Sequence, residues 1–375
     1  MSSATAIDSA GAPRLASVGS AFPRHYYDQG TLLAALRSYW EQRYFNLERI
    51  EQLHRNVLVG GRHLALPIEE YPGLTTFGQS NSAWIRVAEE IGGEAVLAAL
   101  AGCGLAVTDV DALFFVTVTG IATPSIDARL INRLGLRSDL KRVPIFGLGC
   151  VAGAAGIARA ADYVRGFPDQ VAVLLSVELC SLTLQRQDLS IPNLIASGLF
   201  GDGAAAAVVV GAERAAALAS SRLARSEGAA PGPQVVATRS IFYPHSERVM
   251  GWDISESGFQ IVLSADVPKV VEEHLRADVD AFLGERGLGR DDIASWVCHP
   301  GGPKVLEAME QALATPPGAL ELTWKSLREV GNLSSTSVLL VLEATLAGAR
   351  PPAGSLGMLL ALGPGFCSEL VLLRW

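Results

Sequence analysis

The segment from Arg142 to Val164, RVPIFGLGCVAGAAGIARAADYV, decides the fold of this chain. It begins with a β-branched and aromatic run, passes through a glycine-flanked turn that carries Cys150, and continues as a helix of small residues. A thiol at the start of a helix lies beside unpaired N–H groups and the positive end of the helix dipole, so we expect a lowered pKa and a stabilised thiolate. Cys150 is therefore a candidate nucleophile. The alternative is a buried cysteine that serves only as a small hydrophobic residue.

The order of elements around this segment occurs a second time in the chain. A turn, a helix and two strands run from residue 147 to residue 210, and the same order runs from residue 330 to residue 374. We interpret this as an internal duplication in which each half has one functional residue, Cys150 or Asn332, at the start of its central helix. Two such helices side by side would bring these residues together. The alternation of strand and helix predicts a layered α/β fold.

The duplication divides the chain into two halves, residues 14–234 and 235–375. Residues 213–234 are rich in Ala, Ser, Arg, Gly and Pro and are the best candidate for a surface connection between the halves. Residues 1–13 are small and polar, with neither a basic flank nor an apolar core of a signal peptide, and are expected to be a disordered N-terminal extension.

Composition excludes several classes of function. A net charge of −8 argues against a nucleic-acid surface, because such a surface needs a basic stripe. Five cysteines without a C-x-x-C spacing suggest neither a zinc site nor a disulfide framework, so we expect no metal and a reducing cytoplasm. No apolar run reaches the roughly 18 residues that a membrane span needs.

Two further residues complete a candidate site. His299 ends a short apolar run at a turn made by proline and glycine pairs, and an imidazolium beside a thiolate would make Cys150 nucleophilic at neutral pH. Asn332 could donate a hydrogen bond to a developing oxyanion. A structural histidine and a helix N-cap asparagine are the alternatives for these two positions.

Five motifs follow one another along the chain: Gly149-Cys150-Val-Ala-Gly, Leu199-Phe200-Gly-Asp-Gly-Ala-Ala-Ala206, His299-Pro-Gly-Gly-Pro, Gly331-Asn332-Leu-Ser-Ser and Gly363-Pro-Gly365. Together they resemble the type III polyketide synthases, the chalcone synthase-like family, from about residue 15 to the end of the chain. The resemblance implies a thiolase-like, duplicated fold with five αβαβα layers. Within the family, the chain looks most like the bacterial alkylresorcinol and alkylpyrone synthases.

The resemblance also implies a reaction. Cys150 would take an acyl group from an acyl-CoA starter, and His299 and Asn332 would hydrogen-bond the thioester oxygen of malonyl-CoA. Loss of carbon dioxide gives an enolate that attacks the Cys150 thioester, so no separate base is required. Repetition of this decarboxylative Claisen condensation would give an alkylpyrone or alkylresorcinol-type product. We expect a homodimer, no cofactor other than the coenzyme A thioester substrates, and an acyl carrier protein as a further candidate donor of the starter.

Further positions match the family's pocket. Phe200 matches a gatekeeper phenylalanine, and the second gatekeeper position is Ile261, with Phe259 two residues earlier. The other expected pocket residues shape the initiation cavity, reach in from the partner subunit, or form the cyclisation wall: Cys180, Thr183, Thr123, Ser334, Gly363, Pro364 and Gly365.

Coenzyme A phosphates need local cations in an acidic chain. The matching region offers Arg49 and Arg55, and Lys304 follows the His-Pro-Gly-Gly-Pro turn. For each of these side chains an ordinary solvated surface charge is the alternative.

Two other functions fit parts of the pattern. An initiating 3-ketoacyl-carrier-protein synthase of fatty-acid synthesis shares the Cys, His and Asn layout, but that family has Gln-Ala-Asn where this chain has Pro-Gly-Gly-Pro after His299. A catalytically silent scaffold that binds acyl groups is the non-enzymatic alternative.

Overall fold

The protein is described here from a computed structural model, in residues 11–40, 46–224, 232–348 and 350–375. Residues 1–10 of the expected N-terminal extension lie outside these ranges. So do residues 225–231 of the expected connection between the halves.

The first half of the chain alternates strands and helices. In chain order its elements are β1 (Arg14–Ala21), β2 (His25–Asp28), α1 (Gln29–Trp40), α2 (Leu47–Asn56), β3 (Gly61–Leu64), α3 (Phe77–Cys103), β4 (Ala112–Thr117), α4 (Ile126–Leu134), β5 (Lys141–Phe146), α5 (Ala152–Gly166), β6 (Val171–Leu179), α6 (Ile191–Leu199), β7 (Asp202–Val210) and α7 (Ala212–Ala224).

The second half has a similar alternation after an added hairpin. Its elements are β8 (Gln234–Phe242), β9 (Met250–Ser255), β10 (Gly258–Leu263), α8 (Val267–Gly284), β11 (Ile293–Cys298), α9 (Pro303–Leu313), α10 (Glu321–Val330), α11 (Ser337–Gly348), β12 (Leu356–Gly363) and β13 (Cys367–Arg374).

Nine of the described strands form one sheet in the order β11-β12-β13-β8-β1-β7-β6-β4-β5. It consists of two half-sheets that meet at a single residue pair, Arg14 of β1 with Gln234 of β8. Strands β6 and β7 are buried along their whole length, because both are almost continuously apolar and helices cover both faces of the half-sheet.

Helices lie on both outer faces and between the two half-sheets. Helix α3 packs on β1, β6 and β7, while α8 and α9 share a core with the outer face of the second half-sheet. Helices α5 and α11 lie between the half-sheets and contact strands of both. The five-layer αβαβα arrangement expected from the sequence is therefore confirmed. Among the described residues, no helix has the length and apolar run needed to cross a membrane.

The two central helices approach each other closely because α5 is built from small residues. A Cβ on Gly153 would lie 2.3 Å from the Ser335 carbonyl oxygen, a distance that no side chain tolerates. This contact joins the start of α5 to the turn before α11. This contact brings the predicted functional residues of the two halves close together.

The expected connection between the halves differs in one respect from the sequence prediction. Residues 212–224 form helix α7, because alanine-rich sequence favours helix.

Candidate active site

The Cys150 thiol lies at the start of α5, within one 3₁₀ turn, Gly149–Val151. Gly149 has a left-handed backbone with φ of 56°, and a Cβ there would lie 2.7 Å from the Pro364 ring. Only glycine meets both conditions. The short sequence before Cys150 therefore sets the position of the thiol, which is buried.

The loop Gly363–Gly365 lies against that turn. Pro364 contacts the position of Gly149, and a Cβ on Gly363 would lie 2.6 Å from the Val151 nitrogen. Gly365 has a φ of 144° and turns the chain into β13. The loop that the sequence suggests as a pocket wall thus borders the Cys150 turn.

Asn332 precedes α11 and is held by backbone bonds to the end of α6. Its N–H donates to the Leu199 carbonyl, and its own carbonyl accepts from Gly201 N–H, both at 2.9 Å. This places Phe200 directly beside Asn332 in a short parallel bridge. The predicted gatekeeper and the predicted oxyanion donor are therefore neighbours in space.

The side chain of Asn332 links the thiol to the histidine turn. Its Oδ1 accepts from the Ser334 N–H at 2.7 Å, and its Nδ2 donates to the Gly301 carbonyl at 3.4 Å. The Cys150 Sγ donates to the Ser334 Oγ at 3.5 Å. Gly301 in turn donates its N–H to the His299 carbonyl at 3.0 Å. These contacts form a continuous path through the three predicted catalytic residues.

His299 follows β11 and is anchored by its backbone. Its N–H donates to the Leu360 carbonyl at 2.9 Å, while its imidazole is buried and neither ring nitrogen has a hydrogen-bond partner among the described residues. A buried polar ring without partners is costly unless a ligand supplies them. The imidazole is therefore available to hydrogen-bond a substrate.

Burial controls the charges of both groups. It raises the pKa of the Cys150 thiol to about 12, an effect to which the nearby Glu178 carboxylate adds and which the Ser334 hydrogen bond opposes. Burial also lowers the pKa of His299 to about 3. The lowered cysteine pKa expected from the helix start is wrong, because burial penalises the thiolate more than the nearby hydrogen bonds stabilise it. Thiol and imidazole are both neutral at pH 7.

The Glu178 carboxylate lies beneath this site and is fully hydrogen-bonded. It accepts from Ser335 at 2.5 Å, from Thr119 at 2.9 Å and from the Val118 N–H at 3.1 Å. Burial nevertheless raises its pKa. Sequence reasoning did not single out this residue, although a glutamate near the end of an almost continuously apolar strand is an unusual signal.

A cavity lies next to the site and contains four of the predicted pocket residues in its wall: Cys180, Thr183, Phe200 and Ile261. Phe259 instead packs in an aromatic cluster with Phe77 and Trp252. Of the two positions considered on β10, Ile261 is thus the one that faces the cavity. Sequence reasoning missed Arg62 and Tyr71, which are buried in the same wall.

The three predicted phosphate-binding cations are exposed. Arg55 forms an ion pair of 3.6 Å with Glu51, and Lys304 lies in the first turn of α9. The segment after α2 shares a core cluster with α9, whose first turn carries Lys304. Thr123 is also exposed and does not line the cavity. In the described part of the chain, no three His, Cys, Asp or Glu side chains are grouped to hold a metal ion.

Comparison with known proteins agrees with this geometry. Family models for the N-terminal and C-terminal domains of chalcone and stilbene synthases match residues 2–214 and 234–375. The chain belongs to the type III polyketide synthases. It is an acyltransferase-type condensing enzyme that uses malonyl-CoA. This assignment replaces the two alternatives, the initiating ketoacyl synthase and the silent scaffold.

Similar type III polyketide synthases make small aromatic products. A 1,3,6,8-tetrahydroxynaphthalene synthase from Streptomyces peucetius subsp. caesius is 51% identical over 361 residues, 96% of this chain and 93% of that protein. A phloroglucinol synthase from Pseudomonas fluorescens is 30% identical over 94% of this chain and 97% of its own length. The crystal structure of 1,3,6,8-tetrahydroxynaphthalene synthase from Streptomyces coelicolor is 30% identical, with a TM-score of 0.87 over 96% of this chain and 99% of that chain.

Proposed function

We propose that this type III polyketide synthase builds its product from malonyl-CoA alone and releases a hydroxylated aromatic compound of the tetrahydroxynaphthalene type. The product class is supported by the relative that is 51% identical over nearly the whole chain. A naphthalene that carries four hydroxyl groups has no alkyl tail, so its synthesis needs no fatty starter. The reaction itself is supported by one observation, the path of contacts from Cys150 through Asn332 to the His299 turn.

The loading step uses the neutral Cys150 thiol and the neutral His299 imidazole. The Cys150 thiol attacks the carbonyl of the starter thioester, His299 takes the thiol proton, and coenzyme A leaves as the thiol after it receives that proton. Because one proton moves between two buried groups, no net charge is created in the pocket. This is how a thiol with a raised pKa and an imidazole with a lowered pKa act together.

In the extension step, negative charge develops on the enolate oxygen, beside the hydrogen-bond donors of His299 and Asn332. Malonyl-CoA loses carbon dioxide, and the enolate oxygen receives hydrogen bonds from His299 and from the Asn332 amide. The enolate carbon then attacks the Cys150 thioester, a carbon–carbon bond forms, and the cysteine thiolate is released to take a proton. The lengthened chain, now on coenzyme A, is returned to Cys150 for the next round.

The substrate path and the assembly complete the proposal. Arg49, Arg55 and Lys304 bind the phosphates of coenzyme A, which enters past Phe200. Strand β5 is the edge of the sheet, and the nearby Phe146 and Ile121 are 52% and 44% exposed. An exposed apolar edge strand needs a cover, so a second copy of the chain pairs there and brings Thr123 to the partner's pocket. The homodimer works in the cytoplasm, and an acyl carrier protein is an additional candidate donor of the starter.

A second candidate function is supported by the cavity itself. Its wall is largely aliphatic, with Leu32, Leu36, Leu64 and Ile68 among the lining residues. Such a wall suits an alkyl chain, so an acyl-CoA starter would lead to the alkylpyrone or alkylresorcinol product that the sequence suggests.

Product analysis decides between the two functions. Purified protein is incubated with radiolabelled malonyl-CoA, with and without a fatty acyl-CoA, and the products are identified by chromatography and mass spectrometry. We expect the tetrahydroxynaphthalene-type product from malonyl-CoA alone. Products that form only with the fatty starter would establish the second candidate instead.

Variants of two buried cysteines test the mechanism. Cys150→Ala should abolish condensation, whereas Cys103→Ala, at the end of α3, should retain it. Turnover by the Cys150→Ala protein would reject the assignment of the nucleophile.

A further inference from the structure

Arg62 is a buried cation in the cavity wall. Its side chain is 3% exposed, and it lines the same cavity as Phe200 and Cys180. Arginine is rarely buried without a carboxylate partner, because removing a charge from water is expensive. Burial lowers the pKa of Arg62 to about 10, which still leaves the guanidinium charged at pH 7.

All hydrogen-bond partners of Arg62 among the described residues are neutral. Its Nη1 donates to Gln29 Oε1 at 2.5 Å and to the Gly198 carbonyl at 2.7 Å, and its Nη2 donates to the Ser197 carbonyl. No carboxylate of the described chain lies within ion-pair distance. These bonds tie α1, β3 and α6 together without neutralising the charge.

The nearest influential carboxylate is already occupied. Asp202 raises the pKa of Arg62 electrostatically, but its oxygens accept from the Ser181 N–H at 2.8 Å, from the Ser181 hydroxyl, and from the Ala65 N–H at 2.6 Å. Burial raises the pKa of Asp202 to about 6, so this carboxylate is mostly ionised at pH 7 and acts on Arg62 through space rather than through a direct contact. Arg62 therefore has no carboxylate as a direct hydrogen-bond partner among the described residues.

The unused donors of Arg62 have a specific shape. A guanidinium has five N–H groups, and the three bonds above use two on Nη1 and one on Nη2. The remaining N–H groups lie on Nε and Nη2, which are adjacent. Adjacent guanidinium N–H groups form the fork that binds a carboxylate through two parallel hydrogen bonds.

The cavity lies close to the proposed nucleophile. Cys180 lies in its wall and is close enough to Cys150 that a thiolate there adds to the effect of burial in raising the Cys180 pKa. Phe200, also in the wall, pairs with Asn332. An acyl chain held on Cys150 can therefore extend its far end into a cavity that is apolar except near Arg62 and a few other polar groups.

We propose that Arg62 binds the free carboxylate at the far end of a dicarboxylic acyl starter, and so makes the enzyme prefer a malonyl starter over an alkyl one. This inference rests on the proposed function, since it identifies how the same site selects its first unit. A carboxylate accepts hydrogen bonds from the two remaining N–H positions of the buried guanidinium, whereas an alkyl end leaves them without a partner. Arg62 is a specificity residue here, and takes no part in bond making.

A pair of starters of equal length tests the proposal on the unaltered protein. Succinyl-CoA and butyryl-CoA both carry four-carbon acyl groups and differ at the far end, a carboxylate against a methyl group. Both are offered together, and the acyl adducts on Cys150 are counted by mass spectrometry of the intact protein and of its peptides. We expect succinyl to load at least about tenfold faster, as two hydrogen bonds to a charged group imply. Equal loading, or a preference for butyryl, would overturn the proposal.

Variants then assign the preference to Arg62. Arg62→Met should abolish or reverse the succinyl preference, and Arg62→Lys, which keeps the charge but not the fork, should retain part of it. Arg24→Met is the matched control, because Arg24 is highly exposed and outside the cavity wall. A succinyl preference that survives in Arg62→Met would disprove the role of Arg62. If neither variant of Arg62 folds, the loading ratio of the unaltered protein decides.

The loading assay separates this proposal from the proposed function. If Cys150 accepts no acyl group from any thioester, the proposed function fails. If Cys150 loads succinyl and butyryl equally well, condensation stands and only the role of Arg62 is lost.

Discussion

The two central helices begin in the same way but do different work. Helix α5 follows the 3₁₀ turn Gly149–Val151, and α11 follows the 3₁₀ turn Ser334–Thr336. Each turn starts with a left-handed residue, Gly149 with φ of 56° and Ser334 with φ of 46°. The backbone of the duplication has thus been kept in both halves, down to a conformation that L-residues rarely adopt.

The side chains at the second position of each turn show what differs. In the first half this position is Cys150, the proposed nucleophile. In the second half it is Ser335, which donates to the buried Glu178 carboxylate and shares a hydrogen bond with Ser176 at 2.8 Å. The turn before α5 therefore carries the proposed reactive group, whereas the turn before α11 is hydrogen-bonded to buried side chains of β6. Asn332 lies two residues before its turn, so it is not the counterpart of Cys150.

The largest effect expected from this comparison is in the pH dependence of thiol labelling. Only the thiolate reacts with iodoacetamide, and burial holds the pKa of Cys150 at about 12 despite its helix start. The labelling rate should therefore rise about tenfold for each pH unit, roughly a thousandfold from pH 7 to pH 10. The rate is followed by mass spectrometry of the Cys150 peptide.

A different labelling profile would indicate different electrostatics. A rate that levels off near neutral pH would show an ion pair with His299 and would restore the sequence-based expectation. The Cys150→Ala protein identifies the labelled peptide, since the other cysteines remain in it.

The second prediction concerns a substitution in the turn before α5. Gly149→Ala adds a Cβ at a left-handed position, where it would lie 2.7 Å from Pro364. The backbone penalty of 1–2 kcal/mol and the clash together should destabilise the protein by about 3 kcal/mol. Denaturant unfolding measures the stability, and the condensation rate should fall with it.

A second glycine separates strain from contact. Gly147 also has a positive φ, of 95°, but a Cβ there would meet nothing within 4 Å. Gly147→Ala should therefore cost only the backbone penalty. If both variants lose the same stability, the Pro364 contact contributes nothing.

The third prediction concerns the counterpart of Cys150 in the second half. Ser335→Ala removes a donor from the buried Glu178 carboxylate, and a buried charged acceptor without its donor costs about 2 kcal/mol. Denaturant unfolding should show this loss. Ser355 offers a control, because its hydroxyl donates to the Pro352 carbonyl in a solvent-exposed hydrogen bond. Ser355→Ala should change stability by less than about 0.5 kcal/mol. A smaller loss in Ser335→Ala than in the control would contradict this role of Ser335.

Much of this comparison could be predicted from the sequence. The glycine-flanked turn and the small-residue helix indicated where Cys150 lies, and the matching order of elements indicated a second helix start. The layered fold follows from these patterns because apolar strands must be covered on both faces.

The rest depends on packing that no local pattern reveals. Ser334 gives no sign in the sequence of a left-handed backbone, so the true alignment of the two turns, with Cys150 opposite Ser335, could not be read. The raised pKa of Cys150 is caused by the layers around it, and the burial of Arg62 by α1 and α6. The protonation state and the burial of a side chain are properties of the folded chain, whereas residue spacing is a property of the sequence.

The smallest effect tests whether the serine at the start of the second turn is strained. Ser334→Ala and Ser334→Gly both remove the hydroxyl that accepts from Cys150, and both keep the N–H bond to Asn332 Oδ1. They differ in the left-handed backbone, which destabilises the alanine variant by about 1–2 kcal/mol and the glycine variant hardly at all. The greater flexibility of glycine in the unfolded chain destabilises the glycine variant by up to about 1 kcal/mol, which offsets part of this difference. The glycine variant should therefore be the more stable of the two by about 0.5–1 kcal/mol, measured by denaturant unfolding. An alanine variant of equal or greater stability would mean that the second turn relaxes to another conformation, and that only the first half needs its left-handed residue.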